Sequence, residues 1–179
     1  MELQHPIAPV YDHRSRVLIL GSFPSVASRA EGFFYAHPRN RFWPVLAALL
    51  EEPLPSSIGG KTGLLLRRGI ALWDCAASCE IEGSADATLR CHTPNNLRPI
   101  LAAAEIQGIF CNGAAAWQIY HREIEPITGR PAARLPSTSP ANAAWSQARL
   151  EQAWSAILPL LEAQSNETRN GKTGSPALL

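Results

Sequence analysis

Four short apolar runs of the chain predict β-strands. They lie at Arg16–Ser22, Gly69–Cys75, Ile106–Asn112 and Ala132–Thr138. The first three lack the apolar–polar alternation of a half-exposed strand, which is typical of strands buried on both faces. The fourth run is the weakest prediction, because it is shorter and contains Pro136.

Between these runs, apolar residues recur at the spacing of amphipathic helices. The clearest stripe begins at Phe42 and returns every three or four residues as far as Leu50. Further helices are predicted at Leu97–Ala104, Gly113–Glu123 and Leu150–Leu161. Strands that alternate with helices predict an α/β sandwich built on a mainly parallel sheet.

The apolar periodicity ends at about residue 163. Residues 163–179 are mostly polar and small, so we expect a disordered tail there. The remaining residues, 1–162, are expected to form one domain, as suits a chain of 179 residues.

Composition and charge add modest constraints. The chain is 46% apolar, enough for a sizeable core, and its net charge of +1 neither favours nor excludes a local basic groove for nucleic acid. No signal sequence or long apolar run is visible, so we expect a soluble, cytoplasmic protein without membrane contact. The four cysteines lack the spacing of a zinc site and are expected to be reduced and mostly structural, with a metal or iron–sulfur centre as the minor alternative.

Polar or turn-forming residues follow each predicted strand, and the carboxyl ends of parallel strands meet at one edge of a sheet. The turn at 21–25 is either an ordinary βα turn or a loop whose N–H groups face a ligand. Asp74 is either a buried structural acceptor or an acid of a site. Asn112 suits a helix cap and the edge of a base equally well. The hydroxyl-rich loop at 135–143 suits phosphate oxygens, or caps the helix that follows.

These motifs together, "LILGSFPSVAS", "FFYAHPRNRFW", "GIALWDCAAS", "GIFCNGAAAW" and "LPSTSPANA", resemble the uracil-DNA glycosylase superfamily. The similarity extends from Val17 to Leu161 and is greatest to the hypoxanthine-DNA (deoxyinosine) glycosylase branch, with mismatch-specific uracil and thymine glycosylases as near relatives. It implies a three-layer α/β/α sandwich with a central four-stranded sheet. It also implies an enzyme of base excision repair that flips a deaminated base out of the duplex and hydrolyses its N-glycosidic bond.

One departure from the family pattern directs attention to Asn40. The mismatch-specific relatives carry a water-orienting asparagine in the first motif, and other members carry aspartate, but this chain has Phe23 at that position. Because phenylalanine cannot bind water, the resemblance to the hypoxanthine branch makes Asn40 the expected water-orienting residue. The two lysines, against fourteen arginines, agree with a hydrolase rather than a lyase that forms a Schiff base.

The resemblance implies roles for the other site residues as well. Tyr35 matches the aromatic residue that stacks on the flipped base, Asn112 a reader of the base edge, and Asp74 lies near the position that reads uracil in the classical branch. Phe23 lines the pocket, and Arg39 and Arg41 are expected to contact phosphates. The motif 1 turn supplies Gly21, Ser22, Pro24 and Ser25. The DNA-binding loop, which includes the expected wedge, supplies Ser137, Thr138, Ser139, Pro140, Ala141 and Asn142.

The resemblance therefore predicts a monomeric DNA-deoxyinosine glycosylase that needs no cofactor or metal. Its expected substrate is nucleoid DNA that contains hypoxanthine, with uracil and xanthine as possible further substrates. A mismatch-specific uracil or thymine glycosylase remains an alternative, and so does a catalytically weak binder of damaged DNA. A hydrolase with a serine nucleophile in the 137–139 segment has little support, because no histidine lies at another strand end.

Overall fold

A computed structural model describes residues 1–80 and 90–162. The helices and strands, in chain order, are β1 (Glu2–Gln4), β2 (Val17–Gly21), α1 (Val26–Glu31), α2 (Phe42–Leu50), α3 (Ile58–Arg67), β3 (Ile70–Asp74), β4 (Ala76–Glu80), β5 (Arg90–Pro94), α4 (Arg98–Ala103), β6 (Gly108–Asn112), α5 (Ala114–Ile119), α6 (Glu125–Thr128), β7 (Ala133–Leu135) and α7 (Gln147–Trp154). A π-helical turn at Tyr120–Ile124 joins α5 to α6, and a 3-10 turn at Ser155–Ile157 follows α7. The predicted tail at 163–179 lies outside the described residues.

The four predicted strands form one parallel sheet in the order β3–β2–β6–β7. In this register Ile19 lies between Leu72 and Phe110 on its two neighbours. The parallel four-stranded sheet confirms the predicted fold class. The weak fourth strand exists as the short edge strand β7, and Pro136 falls just after it, where no ladder N–H is needed.

The residues of β2 alternate between two cores, which explains why every one of them is buried. Val17 and Ile19 pack on the face covered by α2, α3 and α7. Leu18 and Leu20 pack on the opposite face, against residues of α4 and α5. The sheet is therefore the middle of three layers, and its carboxyl edge is left uncovered by the helices.

A second sheet, antiparallel and three-stranded, was not predicted. Its order is β1–β4–β5, and β4 follows β3 after the single residue Cys75. The residues of β4 were not predicted to form a strand, because this segment is short and its polar serine and glutamate give it no clear strand pattern. The bend at Cys75 is hydrogen-bonded to the end of β2 and the turn that follows it. The Cys75 amide donates to the Gly21 carbonyl, and the Ala76 amide donates to the Ser22 carbonyl.

The prediction of reduced cysteines is correct for two of them and wrong for a third. Cys75 and Cys111 are free and buried. Cys79, in β4, is disulfide-bonded. Within the part of the chain that the structure describes, no helix combines the length and the apolar character needed to cross a membrane.

Candidate active site

A cavity of about 270 Å³ opens at the carboxyl edge of the parallel sheet. This volume is near the lower end of small-molecule sites, about 300–1,000 Å³, so it suits a single flipped base. Loops after β2, β3, β6 and β7 and the aromatic segment before α2 contribute to it. Its lining residues are Gly21, Ser22, Phe23, Pro24, Ser25, Ser28, Phe34, Tyr35, Asn40, Asp74, Asn112, Ser137, Thr138 and Ser139.

Asn40 lies at the start of α2 and faces this cavity. Its Oδ1 accepts hydrogen bonds from the Phe42 amide, 2.9 Å away, and from the Thr138 hydroxyl, also 2.9 Å away. These two bonds use both lone pairs of Oδ1. The amide Nδ2, a donor only, is therefore the group that Asn40 offers to a ligand.

Thr138 fixes this polarity, and it is fully buried. Its backbone N–H can only donate, and it donates to Asn112 Oδ1 at 3.0 Å. Asn112 must then donate from Nδ2 to the Thr138 hydroxyl, at 2.9 Å, and the hydroxyl proton passes on to Asn40 Oδ1. One backbone amide thus orients two carboxamides, whose oxygen and nitrogen atoms would otherwise be interchangeable.

Asp74 is the last residue of β3, and its carboxylate is hydrogen-bonded to a histidine. His5 Nε2 lies 2.8 Å from Asp74 Oδ2, and the two side chains are 4% and 5% exposed. His5 Nδ1 accepts the Ile7 amide, so the ring proton is on Nε2 and is donated to the carboxylate. Burial raises the pKa of Asp74, and the hydrogen bond from His5 opposes that rise.

Tyr35 occupies the inner part of the cavity with an unusual backbone, at φ 53°. Its ring stacks on Phe42, with centroids 4.2 Å apart, so one ring face is covered by protein. Its hydroxyl is buried and has no hydrogen-bond partner among the described residues; Asn112 lies near enough to lower the pKa slightly without good bonding geometry. Burial, and then the charge of Asp74, raise the pKa of Tyr35 far above its usual value.

The motif 1 turn mixes structural and cavity-lining roles. Ser25 caps α1 by accepting the Ser28 amide at 3.2 Å. Phe23 is 8% exposed and packs edge-on against His5, with centroids 5.7 Å apart. Phe23 therefore packs against the histidine that binds Asp74.

The loop after β7 is braced by its own hydrogen bonds. Ser137 Oγ accepts the Ser139 amide, Ser139 Oγ accepts the Ala141 amide, and the Asn142 side chain donates to the Ser137 carbonyl. The hydroxyl oxygens that were expected to bind phosphate thus also stiffen the loop, and each retains a proton to donate. Pro140, with intermediate exposure, lies at the tip of the same loop.

The two arginines of the aromatic segment differ in their surroundings. Arg41 donates to the backbone carbonyls of Trp145 and Asn142, the latter at 3.0 Å, and so ties the loop to the start of α2. Arg39 is exposed and precedes the cavity-lining Asn40 in the chain. Of the expected site residues, Arg39, Arg41, Pro140, Ala141 and Asn142 do not line the cavity itself.

Two functional features escaped sequence reasoning. His5 lies 69 positions from Asp74, so no local motif joins them. Thr138 was grouped with the predicted DNA-binding loop, but its hydroxyl links Asn112, at the end of β6, to Asn40, just before α2. A buried carboxylate without a nearby basic partner in sequence was the only available sign that a distant donor was needed.

Comparison with known proteins gives four findings. The family model described as "Uracil DNA glycosylase superfamily" matches residues 8–158. A protein named hypoxanthine DNA glycosylase from Methanosarcina acetivorans is 31% identical over 153 residues, which cover 83% of this chain and 93% of that protein. Another of that name, from Methanosarcina barkeri, is 35% identical over 83 residues, 46% of this chain, and the match spans only 52% of that relative.

The fourth finding is structural. A solution NMR structure of a candidate uracil DNA glycosylase from Methanosarcina acetivorans superposes with a TM-score of 0.76 at 29% identity. The superposition covers 90% of this chain and 99% of the other. The architecture described above is therefore shared with that protein over nearly its whole length.

Proposed function

The chain belongs to the uracil DNA glycosylase superfamily, and from that membership we propose that it removes hypoxanthine from DNA by hydrolysis of the N-glycosidic bond. The two relatives named hypoxanthine DNA glycosylase support this base as the first substrate. The chain is thus a DNA glycosylase that acts on deaminated bases, and it leaves an abasic site.

The observation that carries the proposal is the polarity of the cavity. It holds a donor on Asn40, a buried carboxylate on Asp74 and an unbonded phenol on Tyr35, all within one base-sized space at the strand ends. Such a space has hydrogen-bonding groups for a polar ring, and its volume suits one base.

Asn40 fits a dissociative reaction. As the glycosidic bond breaks, C1′ becomes an oxocarbenium-like cation that needs only a weak nucleophile. Donation from Asn40 Nδ2 to one lone pair of a water holds that water and leaves its other lone pair for C1′. The backbone amide of Phe42 and the hydroxyl of Thr138 keep the carboxamide in this orientation.

The loop after β7 is suited to hold the DNA while the base is flipped. Its internal hydrogen bonds and the Arg41 anchor keep it stiff, which a residue that replaces the flipped base requires. Arg39 is free of the loop and is proposed to contact a phosphate. The functional unit is residues 1–162 acting as a monomer on nucleoid DNA, since chemistry on one nucleotide needs one cavity.

The test is an excision panel. Duplex oligonucleotides with hypoxanthine, uracil, xanthine or mismatched thymine are incubated with the protein, and abasic sites are revealed by alkali. Hypoxanthine release is expected to be fastest. Preferential release of uracil or mismatched thymine would identify a mismatch-specific enzyme instead, and tight binding without release would identify a binder of damaged DNA.

A further inference from the structure

Two oxygen atoms inside the cavity lack hydrogen-bond partners among the described residues. One is the Tyr35 hydroxyl, which is buried. The other is Asp74 Oδ1, since His5 binds only Oδ2. A buried polar group without a partner costs free energy. Both residues line the cavity, so a ligand there can supply the missing bonds.

The two atoms lie side by side beneath Gly21. A Cβ built on Gly21 would lie 2.3 Å from Asp74 Oδ1 and 3.0 Å from the Tyr35 hydroxyl. Only glycine fits at this position, because any side chain would collide with the carboxylate. The absence of that side chain leaves both oxygens close together at the same end of the cavity.

The pair has opposite hydrogen-bonding polarity. Tyr35 remains a protonated phenol, and hence a donor, because burial and the neighbouring carboxylate raise its pKa. Asp74 is an acceptor when ionised, and the His5 Nε2 proton favours that ionised form. A donor beside an acceptor matches a ring edge that carries an acceptor beside a donor.

We propose that Tyr35 and Asp74 together recognise the lactam edge of the flipped base, with His5 as a positioning residue. The Tyr35 hydroxyl donates to the exocyclic carbonyl oxygen, and Asp74 Oδ1 accepts from the adjacent ring N–H. This inference rests on the proposed function and adds the chemical feature that selects the substrate.

The lactam edge is what deamination creates. Hypoxanthine carries O6 as an acceptor beside N1–H as a donor, whereas adenine carries an N6 amino donor beside N1 as an acceptor. Adenine would place a donor against the Tyr35 hydroxyl proton and a lone pair against the Asp74 carboxylate. Sites that leave buried polar groups unpaired reject such analogues by about 10⁴-fold. Guanine shares the edge, and its stable pair with cytosine opposes flipping.

The first test compares bases with wild-type protein. Duplexes containing hypoxanthine, 1-methylhypoxanthine or adenine are assayed for base release in single-turnover conditions. Methylation removes the N1 proton and keeps O6, so release of 1-methylhypoxanthine should be slower by roughly 100-fold or more. Equal release of hypoxanthine and 1-methylhypoxanthine would overturn the inference and leave the proposed function standing.

The second test separates function from stability in Tyr35→Phe. Removal of an unbonded buried hydroxyl should raise Tm, while excision of hypoxanthine should fall roughly 10- to 100-fold. Tyr120→Phe is the matched control, since the Tyr120 hydroxyl donates to the Arg130 carbonyl at 2.6 Å. It should lower Tm and leave excision unchanged. Full activity in Tyr35→Phe would remove Tyr35 from recognition.

The third test addresses His5 through pH. The ionisable groups that face Asp74 are His5, Tyr35 and Cys75. Loss of the His5 donor in His5→Ala should raise the pKa of Asp74 further, so the acid limb of the excision profile should move to higher pH. His5→Gln, which keeps a donor, should partly restore it, and exposed His13→Gln should not move it. An unmoved limb in His5→Ala would rule out the positioning role.

If wild-type protein releases no base at all, the proposed function fails and recognition is judged by binding. Equilibrium affinity is then measured for duplexes with hypoxanthine, 1-methylhypoxanthine or adenine at one ionic strength. Tighter binding of hypoxanthine than of both others would support the lactam inference, and equal binding would overturn it.

Discussion

At the residue scale, the position of each proton matters more than the identity of the side chain. Asn40 was expected to orient water, and an isolated carboxamide can do so with either end. The Phe42 amide and the Thr138 hydroxyl occupy the oxygen end, which leaves the nitrogen end to bind a ligand. Asp74 likewise has one oxygen bound to His5 and one left for a ligand.

Asn40→Asp tests whether Asn40 acts as a donor. Aspartate keeps an oxygen for the Phe42 amide and the Thr138 hydroxyl, so the fold should persist, but it loses the Nδ2 donor. Single-turnover release of hypoxanthine should fall roughly 100- to 1,000-fold, the size typical of one lost catalytic donor. Asn40→Ala, which loses both ends, should be at least as slow. Near-normal activity in Asn40→Asp would mean that Asn40 acts as an acceptor.

Asp74→Asn should change how stability depends on pH. Because burial raises the folded-state pKa of Asp74, its contribution is most favourable below the unfolded value, about 3.9, and is lost as pH rises through the folded value. Asparagine does not ionise, so the free energy of unfolding of Asp74→Asn does not fall with pH in this way. From acid to neutral pH, the free energy of unfolding of the variant relative to that of the wild type should therefore rise, by ~1.4 kcal/mol for each unit by which folding raises the pKa of Asp74.

Urea denaturation of both proteins across that pH range measures the difference. A constant difference between Asp74→Asn and the wild type would contradict a raised pKa. His13→Gln, at an exposed position, serves as the control for unspecific charge effects.

At the element scale, the site is assembled where regular structure stops. β3 passes into β4 through Cys75, and this bend places Asp74 at the end of one sheet and the start of another. The loop after β7 approaches the start of α2, where Arg41 donates to the carbonyls of Trp145 and Asn142. The start of α2, which follows the proposed water-orienting Asn40, and the loop proposed to bind DNA are thereby joined as one unit.

Arg41→Ala and Arg39→Ala should weaken DNA binding in different ways. Loss of Arg41 frees the loop, so KM should rise roughly tenfold, because bonds from a charged donor contribute about 1.5–3 kcal/mol each, while the salt dependence stays the same. Loss of Arg39 removes a phosphate contact, so the slope of log affinity against log salt should decrease by about one.

Affinity is measured for both variants at several salt concentrations with a duplex that contains hypoxanthine. A reduced slope in Arg41→Ala would show that Arg41 also contacts DNA. An unchanged slope in Arg39→Ala would exclude the phosphate contact.

At the scale of the whole molecule, the fold provides a rigid platform with one open edge. A hydrophobic core packs on each face of the parallel sheet, and all residues of β2 are buried between the two cores. The last described helical turns still belong to the core, since Ile157 and Leu161 are buried in it. The domain therefore needs the chain as far as about residue 162.

A chain that ends at Glu162 should keep its fold and its activity. Residues 163–179 lie outside the described core and lack apolar periodicity, so their loss should change Tm by less than a few degrees and excision of hypoxanthine by less than twofold. A chain that ends at Leu150 loses Trp154, Ile157 and Leu161 from the core and should fail to fold. Thermal denaturation and the excision assay measure both; a large loss on removal of 163–179 would place those residues in the domain.

The sequence alone determined the parts of this protein that depend on local pattern. Apolar runs predicted four strands, the first three of them buried on both faces. The carboxyl-edge rule placed the turn at 21–25, Asp74 and Asn112 at one edge of the sheet, and all of them line the cavity there. These features follow from periodicity and chain direction, which nearby residues encode. The second sheet was missed because the short segment of β4 has no clear strand pattern, and the change of direction at Cys75 depends on the pairing of β4 with β1 and β5.

Only the tertiary structure decided which residues of the site are hydrogen-bonded to one another. The His5–Asp74 pair spans 69 positions and the Thr138–Asn40 bond spans 98, so no local signal could announce them. Proton positions on Asn40, Asn112 and His5 follow from which backbone amides lie opposite each side chain, and that depends on packing. Sequence therefore supplied the residue types of the site, and the fold assigned to each one the role of donor or acceptor.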